Sequence, residues 1–320
     1  MNNNNTHSIM TPAKINLSLD VVGERADGYH LLETIMQSIA LYDKITVSIS
    51  EPSDQNTGKI DISALNPTFP CDSRNTCHKA AALFSKAFQP YSLDAVHGAG
   101  SSPKNVRIMI DKNIPLAAGL GGGSADAAAV LISLNELSGS PFTLAKLMQM
   151  GAVIGADVPF CLIGGTALCK GIGEIIEPLP PLESFPVVIV KANFGVSTQW
   201  AFRKLRMDNI GKRPNTPFVV RDIEEKDIEG LFTDTSNVLE SVTVQEYPVI
   251  DAIKRALKEL GAIGSLMSGS GPSVFGFFET REMASEAAKQ LRKISRFEAC
   301  FIQDTYTSAS GPVETDEEQL

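Results

Sequence analysis

The stretch Ile114-Pro115-Leu116-Ala117-Ala118-Gly119-Leu120-Gly121-Gly122-Gly123-Ser124-Ala125-Asp126 places four glycines and a serine within positions 119–124, and an alanine-rich segment, 127–137, follows at once. Glycines let successive backbone N–H groups converge on one point without side-chain collision. A helix beginning just behind them adds free donors and partial positive charge. The combination predicts an anion cradle, and a nucleotide phosphate is the usual occupant. A Walker loop requires Gly-Lys-Ser/Thr, and no lysine lies between Asn113 and Lys146. A dinucleotide fingerprint requires glycine where Ser124 stands, and its nearest acidic candidate, Glu136, falls inside the helical run. The His-Arg-Asp and Asp-Phe-Gly triplets of protein kinases are absent. A glycine-rich turn that merely lets a helix and a strand pack closely is the plain structural alternative.

Outward from the loop, Val106 to Ile110 reads as the strand that feeds it through Asp111-Lys112-Asn113, and 125–137 as the helix that leaves it, stopped by Gly139 and Pro141. Strands are expected at 14–22 and 44–50, and helices at 75–88, behind the cap candidate Ser73, and from Thr143 to about Gly151. The run Phe160 to Ile163, Gly164-Gly165, Thr166 to Lys170 predicts a hairpin. Pro178, Pro180, Pro181 and Pro186 exclude a continuous helix or central strand and mark a boundary between residues 1–177 and 186–306. Beyond it come strands at Val187 to Val190, Ser265 to Met267 and Val274 to Phe278, and helices at Val249 to Leu260 and Glu282 to Lys293. The polar stretches 97–105 and 206–227 read as mobile loops, and 307–320 as a disordered acidic tail.

Bulk properties narrow the classes of function. A chain of 320 residues, 43% hydrophobic and 20% charged, suits a globular protein with two well-buried cores. No run of eighteen apolar residues occurs, so no membrane span is expected, and the asparagine-rich start does not resemble a secretory leader. A net charge of −9 argues against a nucleic-acid partner. Five cysteines without a Cys-x-x-Cys pair point to reduced thiols in a cytoplasm, and Cys71 with Cys77-His78 lacks a second ligand pair for zinc.

Several residues admit two readings from sequence alone. Ser124 could cap the helix or touch a phosphate. Asp157, in Gly155-Ala156-Asp157-Val158-Pro159, reads as a turn cap between a helix and an apolar strand, or as a catalytic carboxylate. Lys14 lies among Ile, Leu and Val, where a lysine at a strand edge commonly snorkels. Tyr29-His30 after Asp27-Gly28 reads as a turn followed by a buried aromatic, and the lone Trp200 as a packing residue. Gly269-Ser270-Gly271 is either a hairpin turn or a place where two backbones approach closely.

Three motifs occur in order: Thr11-Pro12-Ala13-Lys14-Ile15-Asn16-Leu17 with Arg25-Ala26-Asp27-Gly28-Tyr29-His30, then the glycine loop, then Ser268-Gly269-Ser270-Gly271-Pro272. Together they resemble the GHMP small-molecule kinases, whose usual loop is Pro-x-x-x-Gly-Leu-Gly-Ser-Ser. The resemblance covers roughly residues 10 to 305, and it is narrowest toward the members that act on a cytidylylated methylerythritol. Ala125 stands where the second serine is usual, which removes one hydroxyl.

The resemblance implies an α+β, two-domain fold: an N-terminal nucleotide-binding domain, a C-terminal ferredoxin-like sandwich, and the active cleft between them. It implies ATP-dependent phosphorylation of an alcohol, with Mg²⁺ accompanying the nucleotide and no dedicated protein metal ligands. Its nucleotide loop maps onto Pro115, Leu116, Ala117, Ala118, Gly119, Leu120, Gly121, Gly122, Gly123, Ser124 and Ala125. It makes Asp157 the catalytic carboxylate, Lys14 its cationic partner, and Asn16, Tyr29, His30, Thr198 and Phe202 contacts to the acceptor. Tyr29, His30 and Phe202 suit a pyrimidine and favour this acceptor over homoserine, mevalonate or a sugar. A catalytically silent relative is the alternative of another class, and it should have lost Lys14, Asp157 or the loop glycines. A small-molecule substrate and a monomer or weak homodimer complete these expectations.

Overall fold

The computed structural model describes residues 5–26, 28–51, 58–64, 69–88, 104–182 and 184–315. The first sheet contains β1 (Thr6–Glu24), β2 (His30–Ser50), β3 (Ile60–Ala64), β4 (Asn105–Asp111), β5 (Thr166–Gly171), β6 (Ile175–Pro178) and, from the far end of the chain, β11 (Val313–Glu314). Its path is β11-β1-β2-β4-β3, with β5 paired to β2 and to β6. The two long strands form one antiparallel hairpin. The early half of β2 carries β5 and its later half carries β4.

Helices α1 (Thr76–Phe88), α2 (Gly122–Leu137), α3 (Leu144–Ile154) and α4 (Val158–Ile163) cover this sheet and form one core with it. Small side chains decide the position of α2. Ala125, Ala127, Ala128 and Ala129 are fully buried, so the helix is enclosed nearly all round by α1, α3, α4 and the strands.

The second sheet, antiparallel throughout, has the order β10-β7-β9-β8, built from β7 (Pro186–Lys191), β8 (Gly264–Met267), β9 (Ser273–Phe277) and β10 (Phe301–Tyr306). Around it lie α5 (Thr198–Lys204), α6 (Thr216–Glu225), α7 (Ile228–Asp234), α8 (Glu240–Glu246), α9 (Val249–Glu259) and α10 (Arg281–Lys293). α9 and α10 pack on one face. Between the two sheets a further core joins Ile15, Leu17 and Ile35 to Ile189, Phe275 and Phe277. No described helix is long and apolar enough to cross a membrane.

Three sequence expectations need correction. Phe160 to Ile163 is not a strand but most of α4, and the hairpin is β5–β6 instead. A short apolar run cannot by itself distinguish a buried helix from a strand. Here Pro159 in the first turn and Gly164 at the end, with φ of 65°, bound the helix. The loop reading of 206–227 fails at α6, where Pro217 opens the helix and Val219 and Ile223, one turn apart, are buried under a polar exterior. The tail reading of 307–320 fails over 307–315. Thr307 is buried, the Ser308 N–H donates to the Ser38 carbonyl at 2.8 Å, and β11 pairs with β1. Acidic composition concealed backbone pairing, which needs no apolar side chains. Of the expected loop 97–105, Asn105 belongs to β4 and 97–103 lie outside the described residues, as do 316–320.

Candidate active site

In β1, Lys14, Asn16, Ser18 and Asp20 alternate with Ala13, Ile15, Leu17, Leu19 and Val21, and all are buried. The alternation turns Lys14 and Asn16 toward a cleft of about 400 Å³ between the two sheets' helices and loops, and past the register shift between Asn16 and Ser18 it is Leu19 that lines it. Lys14 is 4% exposed. Its Nζ lies 3.2 Å from Asp157 Oδ2 and donates to Asn16 Oδ1 at 2.7 Å. Asn16 in turn donates through Nδ2 to Thr34 Oγ1 at 2.9 Å, which fixes its amide orientation. An ammonium has three protons, so two directions at Lys14 are committed and one remains. Asp157 stands at the start of α4, between α3 and α4, with its side chain 31% exposed to the cleft. The expected apolar strand after it is a helix, yet the carboxylate reaches the lysine.

The glycine loop lies directly against Lys14, whose backbone N–H donates to the Leu120 carbonyl at 2.9 Å. Gly119 and Gly121 have φ of 77° and 73°, a region L side chains resist. A Cβ on Gly121 would lie 2.8 Å from Lys14 Cγ, so the missing side chain is the space in which the lysine runs. α2 starts at Gly122, and its first N–H groups have no acceptor within the helix. Gly121 occupies the cap position without a side-chain cap, so Ser124 does not cap α2; it lines the cleft one turn in.

A cluster missed in the sequence braces the loop from behind. Asp43 accepts the N–H groups of Asn113 and Ile114 at 2.7 and 2.8 Å and an ion pair from Lys112, whose Nζ also donates to Asp126 Oδ2 at 2.9 Å. The cluster ties the exit of β4 to the second turn of α2. Burial pushes the Asp126 carboxyl up to about 8 against the pull of Lys112. Burial would lower Lys112, but the two carboxylates outweigh it and hold its pKa above the ordinary value. A charged residue in the alanine-rich, buried part of a helix was the available signal.

From the second sheet, the turn after β8 closes on the loop. Ser268 Oγ donates to the Gly119 carbonyl at 2.9 Å, and the Ser273 N–H donates to the Ala118 carbonyl at 3.2 Å. A Cβ on Gly119 would lie 2.3 Å from the Ser268 carbonyl oxygen. The Gly269-Ser270-Gly271 segment is thus the close backbone approach that one of its two readings predicted. Thr198 Oγ1 is 3.1 Å from Ser270 Oγ.

Most of the expected residues share this cleft: Lys14, Asn16, Asp157, Thr198, Phe202 and every loop position from Pro115 to Ser124. Ala125 does not; it is fully buried in α2, and its carbonyl accepts the Thr11 hydroxyl. Tyr29 and His30 lie at the β1–β2 turn beside the cleft. Tyr29 is 60% exposed, and His30 stacks on Phe202 with ring centroids 5.3 Å apart. Trp200 packs edge-on against Tyr247 at 5.9 Å. Thr34, Thr76 and Leu239 also line the cleft without having been singled out. All five cysteines are free. Burial, and after it the Asp157 charge, raises Cys161, and the same two causes push Cys169 up to about 12, so neither is a thiolate nucleophile near neutrality.

Comparison with known proteins identifies the family. The GHMP kinases N terminal domain matches residues 75–165 and the GHMP kinases C terminal domain residues 219–295. A 4-diphosphocytidyl-2-C-methyl-D-erythritol kinase of Acetivibrio thermocellus is 44% identical over 298 residues, 93% of this chain and 98% of that protein. One of Clostridium perfringens is 41% identical over 296 residues, 92% and 97% of the two chains. A crystal structure of 4-(cytidine 5'-diphospho)-2C-methyl-D-erythritol kinase superposes with a TM-score of 0.73 at 31% identity, covering 94% of this chain and 99% of that one. A homoserine kinase from Cytophaga hutchinsonii shares the fold, with a TM-score of 0.71 at 18% identity.

Proposed function

The chain belongs to the GHMP kinases, a family that uses ATP as co-substrate, and on that premise we propose that it phosphorylates the 2-hydroxyl of 4-diphosphocytidyl-2-C-methyl-D-erythritol, giving the 2-phosphate and ADP in the non-mevalonate isoprenoid route. The observation that carries the proposal is the Lys14–Asp157 pair, 3.2 Å apart and lining one cleft together with the glycine loop. The ATP phosphates lie on the free N–H groups at the start of α2, where the helix dipole adds to the attraction. Asp157 accepts a hydrogen bond from the acceptor hydroxyl and takes its proton as the oxygen attacks. The bond between the terminal phosphorus and the bridging oxygen breaks, and ADP departs with its electron pair. Lys14, with one proton uncommitted, pairs with Asp157 and offsets charge on the transferred group.

Magnesium accompanies the nucleotide. Among the described residues no group of three His, Cys, Asp or Glu side chains could hold a metal, and the cleft's oxygen donors, Ser124 and Asp157, suit an ion carried on phosphate oxygens and water. Its contribution is to neutralise phosphate charge.

The cytosine is recognised at the β1–β2 turn. A base placed between two rings needs them roughly 7 Å apart, twice a van der Waals contact, so it cannot enter between His30 and Phe202 at 5.3 Å. It stacks instead on the exposed ring of Tyr29, with Phe202 on its other face once His30 swings to the base edge. Asn16 and Thr198 provide polar contacts to the acceptor. In this reading residues 1–177 and 186–306 are two lobes that meet on the substrates, and the enzyme works in the cytoplasm as a monomer or weak homodimer.

The experiment is to supply ATP and Mg²⁺ with a panel of cytidylylated polyols, plain polyols, homoserine and mevalonate, and to follow ADP and phosphorylated product. Turnover confined to the cytidylylated methylerythritol is expected; equal turnover of a plain polyol would refute the assignment.

A further inference from the structure

A second cavity, of about 450 Å³, lies between α8, α9, β8 and the segments 211–212 and 235–238, away from the phosphate loop. Its charges do not cancel. Lys254 is committed to Glu240, and Asp251 is held by Arg255 at 3.1 Å. That leaves two cations in excess. Lys212 donates to the Thr233 and Thr235 carbonyls and keeps one proton, and Lys258, at the rim, makes no ion pair among the described residues. Ser265, on β8, has a buried hydroxyl without a hydrogen-bond partner among the described residues, and it lines the same cavity. A buried hydroxyl left unpaired is costly, and an incoming acceptor relieves that cost. The remaining walls are mixed: Phe232, Val238, Val244 and Leu266 supply apolar surface, and Thr235, Ser236, Asn237 and Ser241 polar surface. The space exceeds what an inorganic anion fills and falls within the range of small-molecule sites.

We propose that this cavity is an effector site for a small phosphate monoester with a short apolar chain. The phosphate meets Lys212, Lys258 and the Ser265 hydroxyl, and the chain lies on Phe232 and Leu266. The wall behind it is shared with the active cleft. Val238 and Glu240 face the cavity while Leu239, between them, faces the cleft. Glu240 Oε1 accepts the Met267 N–H at 2.8 Å, and Asn237 Nδ2 donates to the Met267 and Gly269 carbonyls at 2.8 and 2.7 Å. The turn they hold is the one that contacts Gly119 through Ser268. A phosphate held by Lys212 and Lys258 in the same cavity as Lys254 competes with Glu240 for that lysine, which shifts a support of the phosphate loop, and the two sites are linked reciprocally.

The test uses the full chain and calorimetry. With ADP saturating the phosphate loop, n-pentyl phosphate should bind once per chain and more tightly than inorganic phosphate. Lys258→Ala should weaken it about tenfold, as loss of a charge-assisted contact does, and Ser265→Ala should weaken it without changing the fold by circular dichroism. In a second titration, pentyl phosphate should change the affinity for ADP about fivefold or more in the wild type, and not in Lys258→Ala. No binding at about 1 mM ligand, binding indifferent to both substitutions, or binding that leaves ADP affinity unchanged would each overturn the proposal.

Discussion

Replacing Gly119 by alanine tests how the two halves of the site are held together. Gly119 has φ of 77°, and an added Cβ would sit 2.3 Å from the Ser268 carbonyl oxygen and 3.2 Å from that of Gly271. Both obstacles are backbone, so neither can rotate aside. A left-handed alanine costs about 1–2 kcal/mol, and forcing a packed contact apart costs about 1–3 kcal/mol. The expected loss is therefore about 2–5 kcal/mol, a large share of the ~5–15 kcal/mol that holds a typical protein folded. The Ser268–Gly119 hydrogen bond would lengthen as the turn moves, so ADP affinity should fall as well. Gly123→Ala is the control. Its added Cβ meets nothing closer than Thr76 Oγ1 at 3.5 Å, and alanine in a helix is favoured over glycine by about 0.5–1 kcal/mol. Urea denaturation of the two variants checks the contrast. A Gly119→Ala protein as stable as wild type, or a Gly123→Ala protein equally damaged, would refute the close-approach reasoning.

Other consequences are separately measurable. Tyr29→Ala should raise the KM for the cytidylyl acceptor by about tenfold or more, as loss of a stacking face does, with little change in the KM for ATP; equal effects on both would remove the stacking role. Asp126 is raised from 3.8 to about 8 by burial, so between those values the native state holds a proton that the unfolded chain has released. Its stabilising contribution is complete below 3.8 and is lost as pH rises toward 8, so the stability of Asp126→Asn relative to wild type should improve across that range in denaturation curves. Thiol titration of the native protein should modify exposed Cys71 first, while Cys77, Cys161 and Cys169, buried and raised in pKa, react only on unfolding.

Much of this site was legible because its chemistry depends on local pattern. The glycines announced a backbone cradle and the alanines after them a helix, while the roles proposed for Lys14 and Asp157 came from the family resemblance, since alone each reads as a snorkelling or a capping residue. What escaped depends on contacts distant in sequence. Nothing near Asp43 indicates that it accepts two N–H groups from residues 70 and 71 positions away. Asn237 reads as an ordinary polar residue until its amide is found beneath the Gly269 turn. Lys14 was ambiguous for the same reason, because a lysine in an apolar strand is explained only by the carboxylate that folding places beside it. The misread helices, α4 and α6, erred on short range: one was too short to show a period, and the other hid a two-residue apolar stripe in polar surroundings.

The central proposal is that Lys14 and Asp157 act on the acceptor hydroxyl while the glycine loop's main-chain amides hold the nucleotide. Rapid-quench phosphoryl transfer by Lys14→Met and Asp157→Asn, with ADP affinity measured on the same samples, tests it most directly. Each substitution should lower turnover about a hundredfold or more and leave ADP affinity near the wild-type value. Wild-type turnover in either variant, or a loss accounted for entirely by weaker nucleotide binding, would contradict it.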